Sequence, residues 1–352
     1  MSTKLERIHL SANEKYSLIS NLSTMFSAGI PILESIESLL EGAKGNQKKL
    51  LETIRDDLTQ GNHLYTSFGK FPRIFDIVTV NIIKASEEAG TLDVALKDLR
   101  GNIRKDSEFS DKLKSAFIYP IFIMCVFFGV LLMILTVVVP RISQVFSRLR
   151  VELPLPTKII IAMSDILIKH TLLLALAVLF FIGLIFYLFR NYRRVFVNVL
   201  FSFPYLSKLA REIDLTKFTH SLFLLLNAGI PITSALELTV RVVMKKEVSD
   251  AIQHAKDAVS SGRKFSEGLR SSGNVIPSIM IKITEAGEKS GSLDKSMQDI
   301  SEYLDYEVST SLKTLVALLE PLMLVLVGVL VGGIMLAIIA PIYSLIGQVS
   351  PK

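Results

Sequence analysis

The sequence predicts an all-α, polytopic membrane protein with three transmembrane helices and two repeated cytoplasmic helical bundles. Three observations predict it. The chain holds three long uncharged apolar runs, it repeats the same short motifs at a shift of 200 to 201 residues, and its apolar residues recur at three and four rather than alternating.

Half of the 352 residues are hydrophobic and only 20% are charged. A soluble chain of this length does not need that much apolar sequence, because its surface is largely polar. The uncharged runs cover residues 117–140, 171–189 and 321–347. A helix needs about 20 apolar residues to cross a bilayer, so each run qualifies, the second only just. None shows the polar face of a helix that borders a soluble core. Residues 1–21 lack the apolar stretch of a secretory signal.

Three crossings place the two long polar segments on one side of the bilayer, whichever side that is. Arg100, Arg104, Lys105, Lys112 and Lys114 precede the first span, and Arg190, Arg193 and Arg194 follow the second. They favour the cytoplasm for both segments, against Arg141, Arg148 and Arg150 in the loop between those spans. The expected order is a bundle over 1–116, a span over 117–140, a short external loop over 141–169, and a span over 170–189. A second bundle over 190–314, a span over 315–346 and an external tail over 347–352 complete it.

The repeat is specific. Ala28-Gly29-Ile30-Pro31-Ile32 returns as Ala228-Gly229-Ile230-Pro231-Ile232. At a shift of 201, Gly61 matches Gly262, Glu87 matches Glu288, Gly90 matches Gly291, and Leu92-Asp93 matches Leu293-Asp294. Pro120 pairs with Pro321 and Pro140 with Pro341. Each repeat is therefore a polar domain followed by a span, and the middle span returns the chain to the same side. Within the repeats, Leu92, Leu96, Leu99 and Ile103 step by four, three and four, as do Leu293, Met297, Ile300 and Leu304. That spacing draws one apolar stripe on a helix. Gly29 and Gly229 suit the left-handed residue that closes a helix, with Ile30 folding back and Pro31 opening the next helix. Gly61 and Gly90 read as further helix ends, and Thr91 and Ser292 as N-caps. From Thr91 to Val139 one helix of about 70 Å is expected, kinked at Pro120.

Catalytic chemistry is not visible. Gly69-Lys70 is followed by Phe71, which lacks the hydroxyl of a phosphate loop, and Glu288-Lys289-Ser290-Gly291 has the wrong order. The five histidines are scattered, without the i, i+4 pair of a zinc helix. The single cysteine, Cys125, excludes an internal disulfide and a multi-cysteine metal site. No enzyme activity, cofactor or metal is expected. The net charge of +6 fits a membrane surface and gives no case for nucleic acid.

The remaining candidates lie at helix ends and span ends. Glu87, Glu88 and Gly90, with Glu285, Glu288 and Gly291, form acidic corners shown twice. They are either solvated helix ends or a docking surface. Glu320, between Leu319 and Pro321, is either a functional ionisable group or a side chain at headgroup level. Tyr119 and Pro120 hold the matching place in the first repeat. Gly328 and Gly332 are spaced for close helix packing in a membrane.

Taken together, these motifs resemble the type II secretion F / type IV pilus inner-membrane platform family. The carriers are duplicated Ala-Gly-Ile-Pro-Ile, duplicated Glu-x-x-Gly-x-Leu, Tyr119-Pro120, Glu320-Pro321 and the late prolines. The resemblance covers roughly Ser11 to Leu345. It implies two cytoplasmic six-helix bundles, three spans, a bacterial inner-membrane location with a cytoplasmic N-terminus, and no catalysis. It also implies partners: a cytoplasmic assembly ATPase, pilin or pseudopilin, other inner-membrane assembly proteins, the lipid bilayer and further copies of the chain. Many members carry an extra segment before the first bundle; here about ten residues precede it, so the resemblance is expected to be to the shorter, pilus-type members. The second reading is a small oligomeric transporter or channel using Glu320 as an ion site. Transporter repeats, however, are mostly membrane, and here each repeat is mostly polar.

Overall fold

The computed structural model describes residues 8–149, 155–170, 183 and 204–349, and these contain helices and no strand. The expected second span, 170–189, falls outside the described residues apart from His170 and Gly183.

The first half begins with α1 (Ala12–Ser27), α2 (Ile32–Gly42), α3 (Gly45–Thr59), α4 (Leu64–Gly69) and α5 (Ile77–Ala89). A long helix follows, α6 (Leu92–Met133). Ser11 opens α1 with a capping box: its hydroxyl accepts from the Glu14 N–H, and the Glu14 carboxylate accepts from the Ser11 N–H at 2.7 Å. Asp76 caps α5 in the simpler way, accepting from the Thr79 N–H at 2.7 Å.

The second half repeats that order with α9 (Pro204–Asn227), α10 (Ile232–Thr239), α11 (Lys246–Ser260), α12 (Phe265–Arg270), α13 (Ser278–Ser290) and α14 (Leu293–Val349). Between the halves lie α7 (Val139–Leu149) and α8 (Leu155–Lys169).

The chain divides into two compact units, Met1–Lys112 with Lys208–Thr310, and Leu113–Ser207 with Ser311–Lys352. The first unit holds two hydrophobic cores. One gathers Leu18, Leu22, Ile36, Leu50, Ile54, Phe68, Phe71, Phe75 and Ile83 against the stripe Leu92, Leu96, Leu99 and Ile103. Phe68 and Phe75 stack in it with ring centroids 3.9 Å apart. The other gathers Leu215, Phe218, Leu222, Leu236, Ile252, Phe265 and Leu269 against Met297, Ile300 and Leu304. The stripes are buried because their spacing keeps one face of each long helix toward its core.

In the second unit the described apolar stretches of the two long helices face mostly outward. Two described helices are long and apolar enough to cross a membrane, Leu92–Phe146 and Leu293–Leu336. Only 11% of the apolar window of the first is buried, and none of the second. The helix runs continuously through Pro120. An irregular turn precedes Pro140, where Ile134–Val138 widens to a π-helix and the Val139 N–H donates to the Ile134 carbonyl. A proline ring crowds the carbonyl four residues back, here Thr136, and a wider turn relieves it.

Residues 141–169, expected as a connecting loop, are helical for most of their length. The chain continues as α7 to Leu149, and α8 returns along it. The Ser164 hydroxyl donates to the Leu135 carbonyl at 2.5 Å, and Thr157 and Ser164 are buried, as are Leu135, Val139 and Phe146.

Candidate functional site

Six glycines at helix ends set the corners of both cores. Gly29, Gly61 and Gly90 have φ of +83°, +81° and +71°, and Gly229, Gly262 and Gly291 have +78°, +77° and +71°. Each corner closes the same way, with the N–H after the glycine reaching the carbonyl five residues back. Ile30 donates to Met25 at 3.1 Å and Ile230 to Leu225 at 3.0 Å. Asn62 donates to Asp57, Arg263 to Ala258, Thr91 to Ser86 and Ser292 to Gly287. This bond satisfies a carbonyl that the helix end would leave bare. Pro31 and Pro231 stand at the N-caps of α2 and α10, one position ahead of the first helical turn.

The paired glutamates turn inward. Glu87, on α5, accepts from the backbone N–H groups of Leu64 at 3.1 Å and Tyr65 at 3.3 Å, and lies 3.2 Å from His63 Nδ1. Glu288, on α13, accepts from the N–H groups of Phe265 at 2.5 Å and Ser266 at 3.1 Å, and from the Ser266 hydroxyl. Each carboxylate thus caps the first turn of a short helix, α4 or α12, from a different helix. His63 and Lys264, at the N-caps of α4 and α12, make no side-chain capping bond themselves. The negative charge suits the exposed donors and the helix dipole there. Chemically the arrangement fastens two elements together, and its acceptor oxygens are spent on backbone donors.

The other corner acids face outward. Glu88 is exposed, as are Gly90 and Gly291. Glu285 is held by Lys289 at 2.8 Å and Arg270 at 3.1 Å, and the Lys289 hydrogen bond is the first cause of its lowered pKa. Gly287 has a separate duty. A Cβ there would stand 2.2 Å from Ser296 Oγ and 2.7 Å from Ser296 Cβ, so its absence lets α13 approach α14. In the first half the matching pair is Ser86 and Ala95: the larger residue has moved to the other helix.

Two buried acids have no forecast in the sequence. Asp214 accepts from the N–H groups of Met244 at 2.9 Å and Lys245 at 2.6 Å, joining α9 to the start of α11. Burial pushes its carboxyl above the usual range, and those N–H groups hold it down. Asp57 is buried and binds Lys70 at 2.6 and 2.7 Å. Isolated acids at such spacings resemble any solvated helix face, so only the packing reveals them. Across the two halves, Lys112 on α6 meets Asp305 on α14 at 3.0 Å, and Lys105 meets Glu302 at 3.9 Å.

Where the spans begin, Tyr119 and Glu320 are exposed, Pro120 is buried and Pro321 exposed. Gly328 and Gly332 are exposed, and an added Cβ at either would meet nothing within 4 Å. Among the described residues no group of three or more His, Cys, Asp or Glu could hold a metal ion.

The family described as type II secretion system (T2SS), protein F matches residues 18–140 and 218–341. The chain belongs to the type II secretion system protein F family. The two matched blocks start 200 residues apart and end 201 apart, which is the shift of the sequence repeat. Relatives of this family member include the type IV pilus assembly protein PilC of Thermus thermophilus, 32% identical over 94% of this chain and 82% of that one. PilC of Pseudomonas aeruginosa is 29% identical, over 92% and 87%. The type II secretion system protein F of Aeromonas hydrophila is 27% identical, over 97% and 88%.

Proposed function

We propose that this protein is the inner-membrane platform of a type IV pilus or type II secretion machine, coupling a cytoplasmic assembly ATPase to the insertion of pilin or pseudopilin subunits. The observation that carries the reading is the paired family match, each block running from a packed helical core into a long apolar helix. The relatives named above are proteins of pilus assembly and of type II secretion. The role is that of a scaffold rather than an enzyme.

In this reading the chain crosses the bacterial inner membrane three times, at 117–140, 170–189 and 315–346. Its N-terminus and both repeated bundles, 1–116 and 190–314, face the cytoplasm, with 141–169 and 347–352 outside. The partner-facing corners are those of Glu88 with Gly90 and of Glu285 with Gly291, since Glu87 and Glu288 are turned inward. Gly328 and Gly332 pack against another helix in the bilayer. The long helices α6 and α14 carry motion from the bundles to the membrane, because a stiff helix transmits tilt or rotation that a flexible linker absorbs.

The test is a flexible Gly-Gly-Ser-Gly insertion after Lys313, beside a four-alanine insertion at the same place that shifts helical phase without adding flexibility. The glycine insertion should abolish pili or secretion while leaving expression and membrane insertion intact. Normal assembly with it would make the protein a passive anchor, and no assembly defect on deleting the whole chain would end the platform reading.

A further inference from the structure

The two halves meet through unlike faces. Helix α5 of the first half packs against α10 of the second. Val78 and Ile82 on α5 are 4% and 6% exposed and belong, with Ala95, to the second core. The other side of α5, carrying Thr79, Ile83 and Ser86, is buried on its own side. In a contact of like with like, α5 would meet its counterpart α13. It meets α10 instead, whose counterpart is α2. A contact of that kind is head-to-tail and leaves one unused face at each end of the chain.

Those unused faces can be named by the shift of the repeat. Val78 and Ile82 correspond to Ile279 and Ile283 on α13. Ile279 is 40% exposed, Ile283 is half-buried at the edge of the second core and Ala286 is exposed, an apolar stripe at i, i+4 and i+7 running beside the core face. The core face of α13 is separate, made of Met280, Ile281, Thr284 and Gly287. At the other end, α2 carries exposed Glu34, Glu37, Ser38 and Glu41, with Leu39 and Leu40 half-buried between them. Ser38 stands where α10 has Leu238.

The charges on the two open faces are opposite. Helix α2 holds three glutamates and no basic residue. The α13 stripe is flanked by exposed Lys282 and Lys289, and Arg270 lies beside them on Glu285. Where α13 has Lys282 and Lys289, α5 has Asn81 and Glu88; where α2 has Glu34, α10 has Ser234, and the place of Glu41 is taken by Arg241 in the turn after α10. The face pair left open is thus more strongly complementary than the pair closed within the chain.

We propose that the occupant of these faces is a second copy of this chain, with α13 of one chain docking on α2 of the next as α5 docks on α10 within a chain. The shape of the assembly rests on the membrane reading above. Head-to-tail contacts make rings when they close and filaments when they rise along an axis. Bundles tied by α6 and α14 to one bilayer cannot climb along the membrane normal, so successive contacts are confined to the plane of the membrane.

The test uses the full chain with Cys125→Ser. One tagged copy carries Ile279→Cys, a second with a different tag carries Ser38→Cys, and the two are co-expressed and treated in native membranes with a short thiol cross-linker. Cross-links between unlike tags are expected, and neither copy expressed alone should cross-link to itself. Self-linking of the Ile279→Cys copy would mean like meets like, and absence of any link to Ser38→Cys would remove the α2 site; either overturns the proposal. In detergent, the pair Ile279→Glu and Ile283→Glu should weaken self-association about tenfold or more while thermal unfolding stays near wild type. An unchanged assembly that instead loses a different protein would assign the stripe to that protein and also overturn the proposal. Both readouts are independent of pili, so failure of the platform reading leaves them interpretable.

Discussion

The short helices α4 and α12 occupy the same place in the two halves and pack differently. In the second half α12 lies so near α11 that a Cβ on Gly268 would stand 2.6 Å from the Ala255 Cα and 2.9 Å from the Ala258 Cβ. In the first half those three places hold Ser67, Ile54 and Asp57. Ser67 is fully buried with its hydroxyl unpartnered. Asp57 is bound by Lys70, whereas the place of Lys70 in the second half holds Ser271, whose hydroxyl donates to the Gly268 carbonyl at 2.7 Å. One repeat therefore reaches backbone contact through small residues, and the other fills a wider gap with a side chain and an ion pair. The glycine corners and the inward glutamates are common to both. A shared frame thus tolerates two interiors, because the corners fix the path of the chain while side-chain volume sets the gap between helices.

The largest break in this comparison should come from Gly268→Ala. The obstructing atom is backbone, which cannot rotate aside, so a loss of about 3 kcal/mol is expected, seen as earlier thermal unfolding of the full chain in detergent. The reverse change in the first half, Ser67→Gly, should leave stability nearly unchanged, because the helix-propensity cost of glycine, about 0.5 kcal/mol, is offset by the loss of a buried hydroxyl without a partner. Equal losses at the two sites would show that α4 and α12 are packed alike after all.

Next in size are the glutamate caps. Glu288→Gln and Glu87→Gln each remove the charge from a carboxylate bonded to two backbone N–H groups, and each should cost about 1–2 kcal/mol. Glu288→Gln should cost more, since the Ser266 hydroxyl also binds there. Hydrogen exchange at the Phe265 and Leu64 amides reads the two caps separately, and unchanged protection in both variants would mean the caps are not needed.

Gly29→Val and Gly229→Val sharpen the comparison from the common side. Nothing lies within 4 Å of a Cβ at either position, so only the left-handed backbone is strained, by about 1–2 kcal/mol and equally in both halves. Ser27→Ala, on the helix just before, serves as a near-neutral control in the same melting experiment. Clearly unequal losses would point to packing rather than conformation. The smallest clear shift belongs to Ser67→Ala. It removes a buried hydroxyl without a partner and should raise stability by about 0.5–1 kcal/mol; a destabilised variant would mean that hydroxyl is bonded in solution.

The sequence by itself determined the helix ends, the apolar stripes and the apolar runs. Each depends on neighbours a few residues away. A glycine at φ near +80° and apolar residues at three and four carry their meaning locally, and a repeat at 201 residues states the same meaning twice. Glu87 and Glu288 were equally visible as repeated acids, yet their side chains could point to solvent or to a neighbouring helix, and spacing does not distinguish those outcomes. Tertiary structure decided that they cap α4 and α12 across a turn. It also decided that α5 buries both of its faces while α13 leaves one open, and that Gly268 is a contact rather than a helix breaker. The helical course of residues 141–149 and 155–169 was likewise hidden, because length and polarity alone had suggested a loop. The reason is common to all four. Orientation between helices is set by many weak contacts summed over elements distant in the chain, and no short stretch of sequence contains that sum.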